Sequence, residues 1–150
     1  MKFDDIMYAM TEKANGEESP RVAGEILTEI LDALSQVYPM ILLANLTQNR
    51  YVMLKDRGFL YRKNTTYGNY DEMISNGVKN VHPNYQSTFL DTFARSKLIA
   101  RYENGVRQVS ARLYQRGENG EYQWVETKVI RLQDESGDVV QVCLNEILPQ

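Results

Sequence analysis

The sequence has a single cysteine, Cys143, and a single histidine, His82, among its 150 residues. One cysteine excludes an internal disulfide, which agrees with a reducing, cytoplasmic location. No apolar run approaches the roughly 20 residues that span a bilayer. The acidic start also lacks the basic stretch of a signal peptide. We therefore expect a cytoplasmic protein with no membrane insertion in this segment.

A net positive charge is also lacking. The net charge is −3, with −5 in residues 1–38 and +2 in residues 39–150. Neither part concentrates lysine and arginine as binding to a phosphate backbone requires. The charge pattern therefore argues against a nucleic-acid partner.

Motifs of enzymatic catalysis are missing as well. The sequence has no Gly-x-Ser-x-Gly, no phosphate-binding glycine loop and no Cys-x-x-Cys. Cys143 lies in the apolar stretch 139–144, where a buried thiol is inert. His82 precedes Pro83, where an imidazole can cap or brace a helix start, and no partners for a histidine-based metal site are evident. We predict no catalytic residue, no metal site and no enzymatic activity.

The last third of the chain, residues 106–148, predicts three consecutive strands. Val109, Ala111 and Leu113 alternate with polar residues, and two short turns containing glycine separate the β-rich runs that follow. This pattern is typical of an antiparallel meander. A sheet of this kind has one face to bury, so the preceding segments must cover it.

Two helices are predicted before Pro39. The first is short and amphipathic, with apolar residues at three- and four-residue spacing: Phe3, Ile6, Met7 and Met10. The second begins at Pro20 behind the N-cap Ser19. Its apolar stripe comprises Val22, Ile26, Ile30, Leu34 and Val37, widened by Leu27 and Leu31. Such a stripe either packs on its own domain or forms an interface. We predict a homodimer through Val22, Ile26, Ile30 and Leu34.

A hairpin, a loop and further helices lead to the meander. Residues 40–46 and 51–54 predict the hairpin strands, and the polar residues 56–68 predict a loop. Asn69 with Glu72 resembles a capping box for a short helix that ends at Gly77. One longer helix is predicted from Pro83 through Tyr102. Two plus three strands give a five-stranded antiparallel sheet with helices on one face, an α+β fold that can enclose a small-molecule pocket.

Four segments in this order resemble one family: residues 38–47, 81–83, 120–125 and 134–147. His82 and Pro83 resemble the His-Pro-Glu/Asp-Asp start of a helix, although Asn84 and Tyr85 replace the acids. Residues 120–125 resemble a Gly-x-Tyr-x-Trp-Val strand. Residues 134–147 resemble an Asp-x-x-Gly-x-Val…Asp-Ile-Thr ending, although the Asp and Thr of Asp-Ile-Thr are missing where this chain has Asn145-Glu146-Ile147-Leu148. Together these segments resemble a PAS domain of bacterial signalling proteins.

The resemblance covers residues 38–148 and implies a sensor domain with strands ordered 2-1-5-4-3, preceded by an N-terminal helical extension at 1–37. Such domains are often attached to a diguanylate cyclase or histidine kinase. The sequence has neither a Gly-Gly-Asp/Glu-Glu-Phe motif nor a kinase phosphoacceptor region. We therefore expect the sensory part of a longer protein, covalently linked to an output domain that is absent here.

Ligand-binding residues are expected where the helices face the sheet: Tyr70, Met73, His82, Phe89, Phe93, Arg112 and Trp124. Arg112 would bind a carboxylate, and Trp124 would provide a stacking wall. The alternative places Arg112 in solvent, because it alternates with the apolar residues of its strand, and leaves Trp124 as ordinary core.

The sequence leaves the ligand and any cofactor unidentified. It lacks the Asn-Cys-Arg-Phe-type motif of flavin-binding relatives, and haem ligation near His82 is disfavoured too. The predicted function is to bind a small ligand or a partner and to regulate the linked output domain. Two alternatives are a ligand-free dimerisation module and a ketosteroid-isomerase-like enzyme, for which Glu126 is the one candidate carboxylate.

Overall fold

The structure, a computed structural model, describes residues 3–6, 22–62 and 65–150. In this part of the chain the helices are α1 (Val22–Leu34), α2 (Tyr70–Gly77), α3 (Gln86–Phe93) and α4 (Arg95–Glu103). The strands are β1 (Met40–Asn45), β2 (Arg50–Asp56), β3 (Tyr67–Asn69), β4 (Gln108–Arg116), β5 (Tyr122–Leu132) and β6 (Val140–Ile147). Short 3₁₀ helices lie at Val78–Asn80 and Pro83–Tyr85, and residues 3–6 are helical.

The described strands form one antiparallel sheet in the order β3-β2-β1-β6-β5-β4. Without β3, this is the predicted order 2-1-5-4-3, so the α+β prediction is confirmed. β3 pairs with Arg50–Val52 of β2 at the edge of the sheet. The prediction of a loop over residues 56–68 is wrong at this point, because a strand of three residues shows no alternation that the sequence could reveal.

The main core lies between one face of the sheet and helices α2, α3 and α4. Its buried members include Leu42, Tyr70, Phe93, Leu98, Tyr102, Val109, Leu113, Val125 and Val129. Alternate residues of β4 and β5 point into it, as the period of two requires. Burying a Leu, Val or Phe side chain contributes about 1.5–3 kcal/mol. This packing holds the helices against the sheet.

A second, smaller cluster lies on the opposite face of the sheet. Phe3 is buried there with Leu43, Val52 and Val140, and Ile6 packs beside them. β1 is therefore covered on both faces, and all six of its residues are buried. The described helical residues 3–6 agree with the predicted amphipathic helix. Its other members, Met7 and Met10, and the cap at Ser19 and Pro20 lie outside the described residues.

The prediction of one continuous helix from Pro83 through Tyr102 is wrong, because the structure divides this segment. Ala94 has ψ 141°, an extended conformation that ends α3 and begins α4. The carbonyl of Phe93 accepts a hydrogen bond at 2.7 Å from the hydroxyl of Tyr70. A tertiary contact therefore satisfies a carbonyl at the break, and apolar spacing alone could not show this.

Candidate ligand-binding cavity

A cavity of about 90 Å³ lies within the main core, between the sheet and helices α2 and α3. Its apolar lining includes Met40, Leu42, Phe59, Leu60, Met73, Ile74, Phe89, Phe93 and Val129. Its polar lining comprises Asn80, Tyr70, Gln115, Thr127, Gln141 and Asn145. A mostly apolar pocket with a few convergent polar groups is typical of small-molecule sites.

Four of the predicted ligand-binding residues line this cavity: Tyr70, Met73, Phe89 and Phe93. Asn69 positions the first two, because its side chain accepts a hydrogen bond from the amide of Glu72 at 3.0 Å and caps α2. Phe89 and Phe93 are one helical turn apart on α3, with their ring centroids 5.7 Å apart. The helical spacing therefore identified the wall formed by α2 and α3.

The wall formed by β5 and β6 is polar. Gln141 is fully buried, and its Oε1 accepts a hydrogen bond at 2.7 Å from the hydroxyl of Tyr102 on α4. Its Nε2 has no hydrogen-bond partner among the described residues. The amide of Gln141 acts as a donor toward the hydroxyl of Tyr70 and lowers its pKa, against the larger increase caused by burial, but the contact falls short of a full hydrogen bond.

Asn145 lies two residues from Cys143 on the same face of β6. Its Oδ1 accepts a hydrogen bond from the hydroxyl of Thr127. Its Nδ2 donates to the thiol sulfur of Cys143 at 3.4 Å and to the thioether sulfur of Met40 at 3.9 Å. Sulfur is a weak acceptor. The side-chain amide of Asn145, a second donor on this wall, therefore has only weak hydrogen-bond partners.

The titratable groups around the cavity are neutral near pH 7. Burial raises the pKa of the Cys143 thiol to about 12, against a small lowering by Asn145. Burial also holds the pKa of Tyr70 and of Tyr102 well above the ordinary tyrosine value. Among the described residues no Asp, Glu, Lys or Arg lines the cavity. The cavity therefore suits an uncharged molecule.

Arg112 does not reach the cavity. Its side chain is 73% exposed, and its Nε pairs with Oε2 of Glu126 at 3.3 Å. Glu126 in turn lies 3.9 Å from the ammonium of Lys128. Both carboxylate contacts lie on the face of β5 opposite the cavity-lining residues Thr127 and Val129. The alternative in which Arg112 faces solvent agrees with this placement.

His82 and Trp124 also lie outside the cavity, in an aromatic cluster with Tyr85, Tyr114 and Tyr122. The ring of Trp124 is 5.0 Å from Tyr114 and 5.3 Å from Tyr85. The ring of His82 is 5.1 Å from Tyr122. Nδ1 of His82 accepts a hydrogen bond from the amide of Asn84 at 3.1 Å. His82 therefore caps a helix start, as predicted.

The predicted dimerisation stripe lies largely exposed on α1. Ile26, Ile30, Leu34 and Val37 are 51%, 51%, 41% and 55% exposed. The structure does not describe the side chain of Val22. Leu31 is buried, so the widening residue packs on the domain while the stripe itself faces outward.

The sequence interpretation missed Gln141, Asn145 and Thr127. It treated the stretch around Cys143 simply as apolar. A signal was nevertheless present, because Gln141 and Asn145 share the strand phase of Val139 and Cys143. Thr127 likewise stands between Val125 and Val129. Polar residues in the phase of the core are candidates for a polar wall.

No group of three or more His, Cys, Asp or Glu side chains in the described part of the chain could hold a metal ion. None of the described helices combines the length and apolarity needed to cross a bilayer.

No protein-family model matches the sequence, and no curated protein matches it. Several solved structures are similar. A sensory box histidine kinase/response regulator from Burkholderia thailandensis has 13% identity and a TM-score of 0.53, over 79% of this chain and 83% of that chain. The PAS domain of a protein from Colwellia psychrerythraea has 18% identity and a TM-score of 0.51, over 82% of this chain and 97% of that chain.

A third similar structure is the N-terminal domain of a diguanylate cyclase with a PAS/PAC sensor from Marinobacter aquaeolei. It has 14% identity and a TM-score of 0.46, over 72% of this chain and 93% of that chain. The first two structures share the α+β fold of this chain. The fold is that of a PAS domain, which confirms the resemblance in the four sequence segments.

Proposed function

We propose that residues 38–148 form a cytoplasmic PAS sensor domain that binds a small ligand and regulates an output domain linked to it in a longer protein. The observation that carries this proposal is the cavity between the sheet and helices α2 and α3. Ligand binding transmits a signal only if the ligand binds two conformations with different affinity.

The similarity to a sensory box histidine kinase supports an output domain of the histidine kinase class. A diguanylate cyclase is the alternative output domain. The placement of Glu126 gives no support to the isomerase alternative, since its carboxylate faces away from the cavity and is paired with Arg112. The ligand-free interaction module therefore remains the competing function.

Native mass spectrometry of the freshly purified chain tests the proposal. We expect a small molecule that is retained under native conditions and lost on denaturation. Met73→Trp should remove this mass, because the larger side chain fills the cavity. Arg112→Ala, outside the cavity, should retain it. A chain with no retained mass that runs as a clean dimer would support the interaction module instead.

We also propose that the chain forms a homodimer through α1. The exposed stripe of Ile26, Ile30, Leu34 and Val37 supports this proposal. The first three of these side chains lie on consecutive turns of α1 and form a continuous strip. Val37 follows in the turn after the helix and lines the same surface groove as Ile147, which is 44% exposed. A second copy of this helix offers a strip of matching shape and chemistry.

A further inference from the structure

Gln141 is held in one amide orientation. The hydroxyl of Tyr102 donates to its Oε1 at 2.7 Å, and the hydroxyl of Tyr102 cannot serve Nε2 at the same time. Flipping the amide would let Nε2 donate to that hydroxyl instead, but the hydroxyl proton would then lose Oε1 as its acceptor. Nε2 therefore remains the free end of a fully buried side chain that lines the cavity.

A buried N–H group without a partner is destabilising, so a partner in the cavity would stabilise the protein. The partner must be an acceptor, because an amide nitrogen only donates. Asn145 adds a second donor on the same strand face, at present directed to sulfur. The two amides thus present N–H groups on one wall of an otherwise largely apolar cavity.

The charge and the size of the cavity further limit the chemical class of the ligand. A carboxylate or phosphate would lie in this core without a cation among the described lining residues, which costs several kcal/mol. An apolar cavity of about 150 Å³ admits benzene. The cavity here, about 90 Å³, is smaller. In proportion to benzene, which has six non-hydrogen atoms, it accommodates about four.

We propose that the cavity binds a compact, uncharged molecule with a carbonyl-type acceptor, which receives a hydrogen bond from Nε2 of Gln141. This proposal rests on the proposed ligand-sensing function and adds the chemical class of the ligand. Tyr102 is a positioning residue, since it orients the amide. Phe89 and Met73 contact the apolar part of the molecule.

Three probes of four non-hydrogen atoms each separate the contributions of acceptor and charge: acetone, isobutane and acetate. Each is titrated into the ¹⁵N-labelled full chain while the side-chain amide resonances are followed by NMR. The Gln141 resonances are assigned by their loss in Gln141→Met. We expect acetone to shift them. We also expect Gln141→Met to lower the affinity for acetone about tenfold relative to the affinity for isobutane, the contribution of a hydrogen bond to a buried donor. We expect no binding of acetate.

Variants then test the residue. Gln141→Met should lower the ratio of acetone affinity to isobutane affinity, and Gln108→Met, on the exposed start of β4, should leave that ratio unchanged. Because Gln141→Met leaves the Tyr102 hydroxyl unpaired, the double variant with Tyr102→Phe removes both partners and protects the fold. Thermal melting confirms that each variant is folded.

Two results would overturn the proposal. If Gln141→Met leaves the ratio of acetone affinity to isobutane affinity unchanged, or if acetate binds best, the cavity binds ligands but the assigned ligand chemistry is wrong. If no probe binds and native mass spectrometry also finds no retained molecule, the ligand-sensing function fails together with it.

Discussion

The hydroxyl of Tyr70 joins two helices through one hydrogen bond. It donates to the carbonyl of Phe93, where α3 ends, and the contact is buried on both sides. The ring of the same tyrosine lines the cavity. This one side chain therefore connects the cavity to the break between α3 and α4, where a bound molecule can influence the helices.

Tyr70→Phe should lower the free energy of unfolding by about 2 kcal/mol, because the carbonyl of Phe93 is left buried without its donor. Urea denaturation measures this change directly. Tyr67→Phe is the matched control, since Tyr67 is 52% exposed and removal of its hydroxyl should change stability little. Equal effects of the two substitutions would show that the hydrogen bond at Phe93 contributes nothing.

Cys143 should make the protein sensitive to alkali. Burial raises the pKa of its thiol to about 12 in the folded state, whereas an unfolded thiol ionises near pH 8.5. Its contribution to stability is therefore complete below about pH 8.5 and declines as the pH rises toward 12. The slope for one proton is about 1.4 kcal/mol per pH unit.

Cys143→Ala removes the thiol, so its ionisation no longer contributes to the pH dependence of stability. Between pH 8.5 and pH 10.5 the variant should lose about 2 kcal/mol less stability than the parent chain. Urea denaturation at the two pH values measures the difference. Tyr70 and Tyr102, with pKa values that burial also raises, should still destabilise both chains above pH 10. Parallel pH profiles would contradict a buried, protonated thiol in Cys143.

The individual elements show what the sequence can predict. Strands β4, β5 and β6 alternate apolar and polar residues between glycine turns, and all three form where predicted. The capped start of α2 at Asn69 and its end at Gly77 were local signals as well. By contrast, β3 forms because it pairs with the edge of β2. The break at Ala94 lies beside the carbonyl of Phe93, which accepts a hydrogen bond from Tyr70, a residue distant in the sequence. Both depend on tertiary contacts that no local pattern records.

The cap of α2 provides a test at this scale. Asn69→Ala should destabilise the protein by about 1 kcal/mol, because the amide of Glu72 loses its acceptor. Asn69→Asp retains an oxygen at the same place and should remain close to the parent stability. Thermal melting of both variants makes the comparison, with an expected fall of about 2–4 °C for alanine only. A similar fall for aspartate would mean that the amide group, rather than the cap, is required.

For the whole molecule, the candidate site was predicted only in part. Helical spacing identified the wall of Tyr70, Met73, Phe89 and Phe93. Alternation along a strand shows which residues share a face, but not which face packs against the helices. For this reason Trp124 was expected to line the cavity. The polar wall with Gln141 depends on how β5 and β6 pair beneath α4. The cavity is thus a property of the assembled fold.

The exposed stripe on α1 is the proposed interface between two copies of the chain. If two copies associate through this helix, Ile30→Glu should yield monomers at micromolar concentration in sedimentation velocity, since each interface would bury two unpaired carboxylates. Glu29→Gln, on the exposed polar side of the same helix, should leave the dimer intact. Because Ile30 is 51% exposed in the single chain, the monomer should remain folded and should still bind acetone. A parent chain that is monomeric, or an Ile30→Glu chain that stays dimeric, would exclude α1 as the interface.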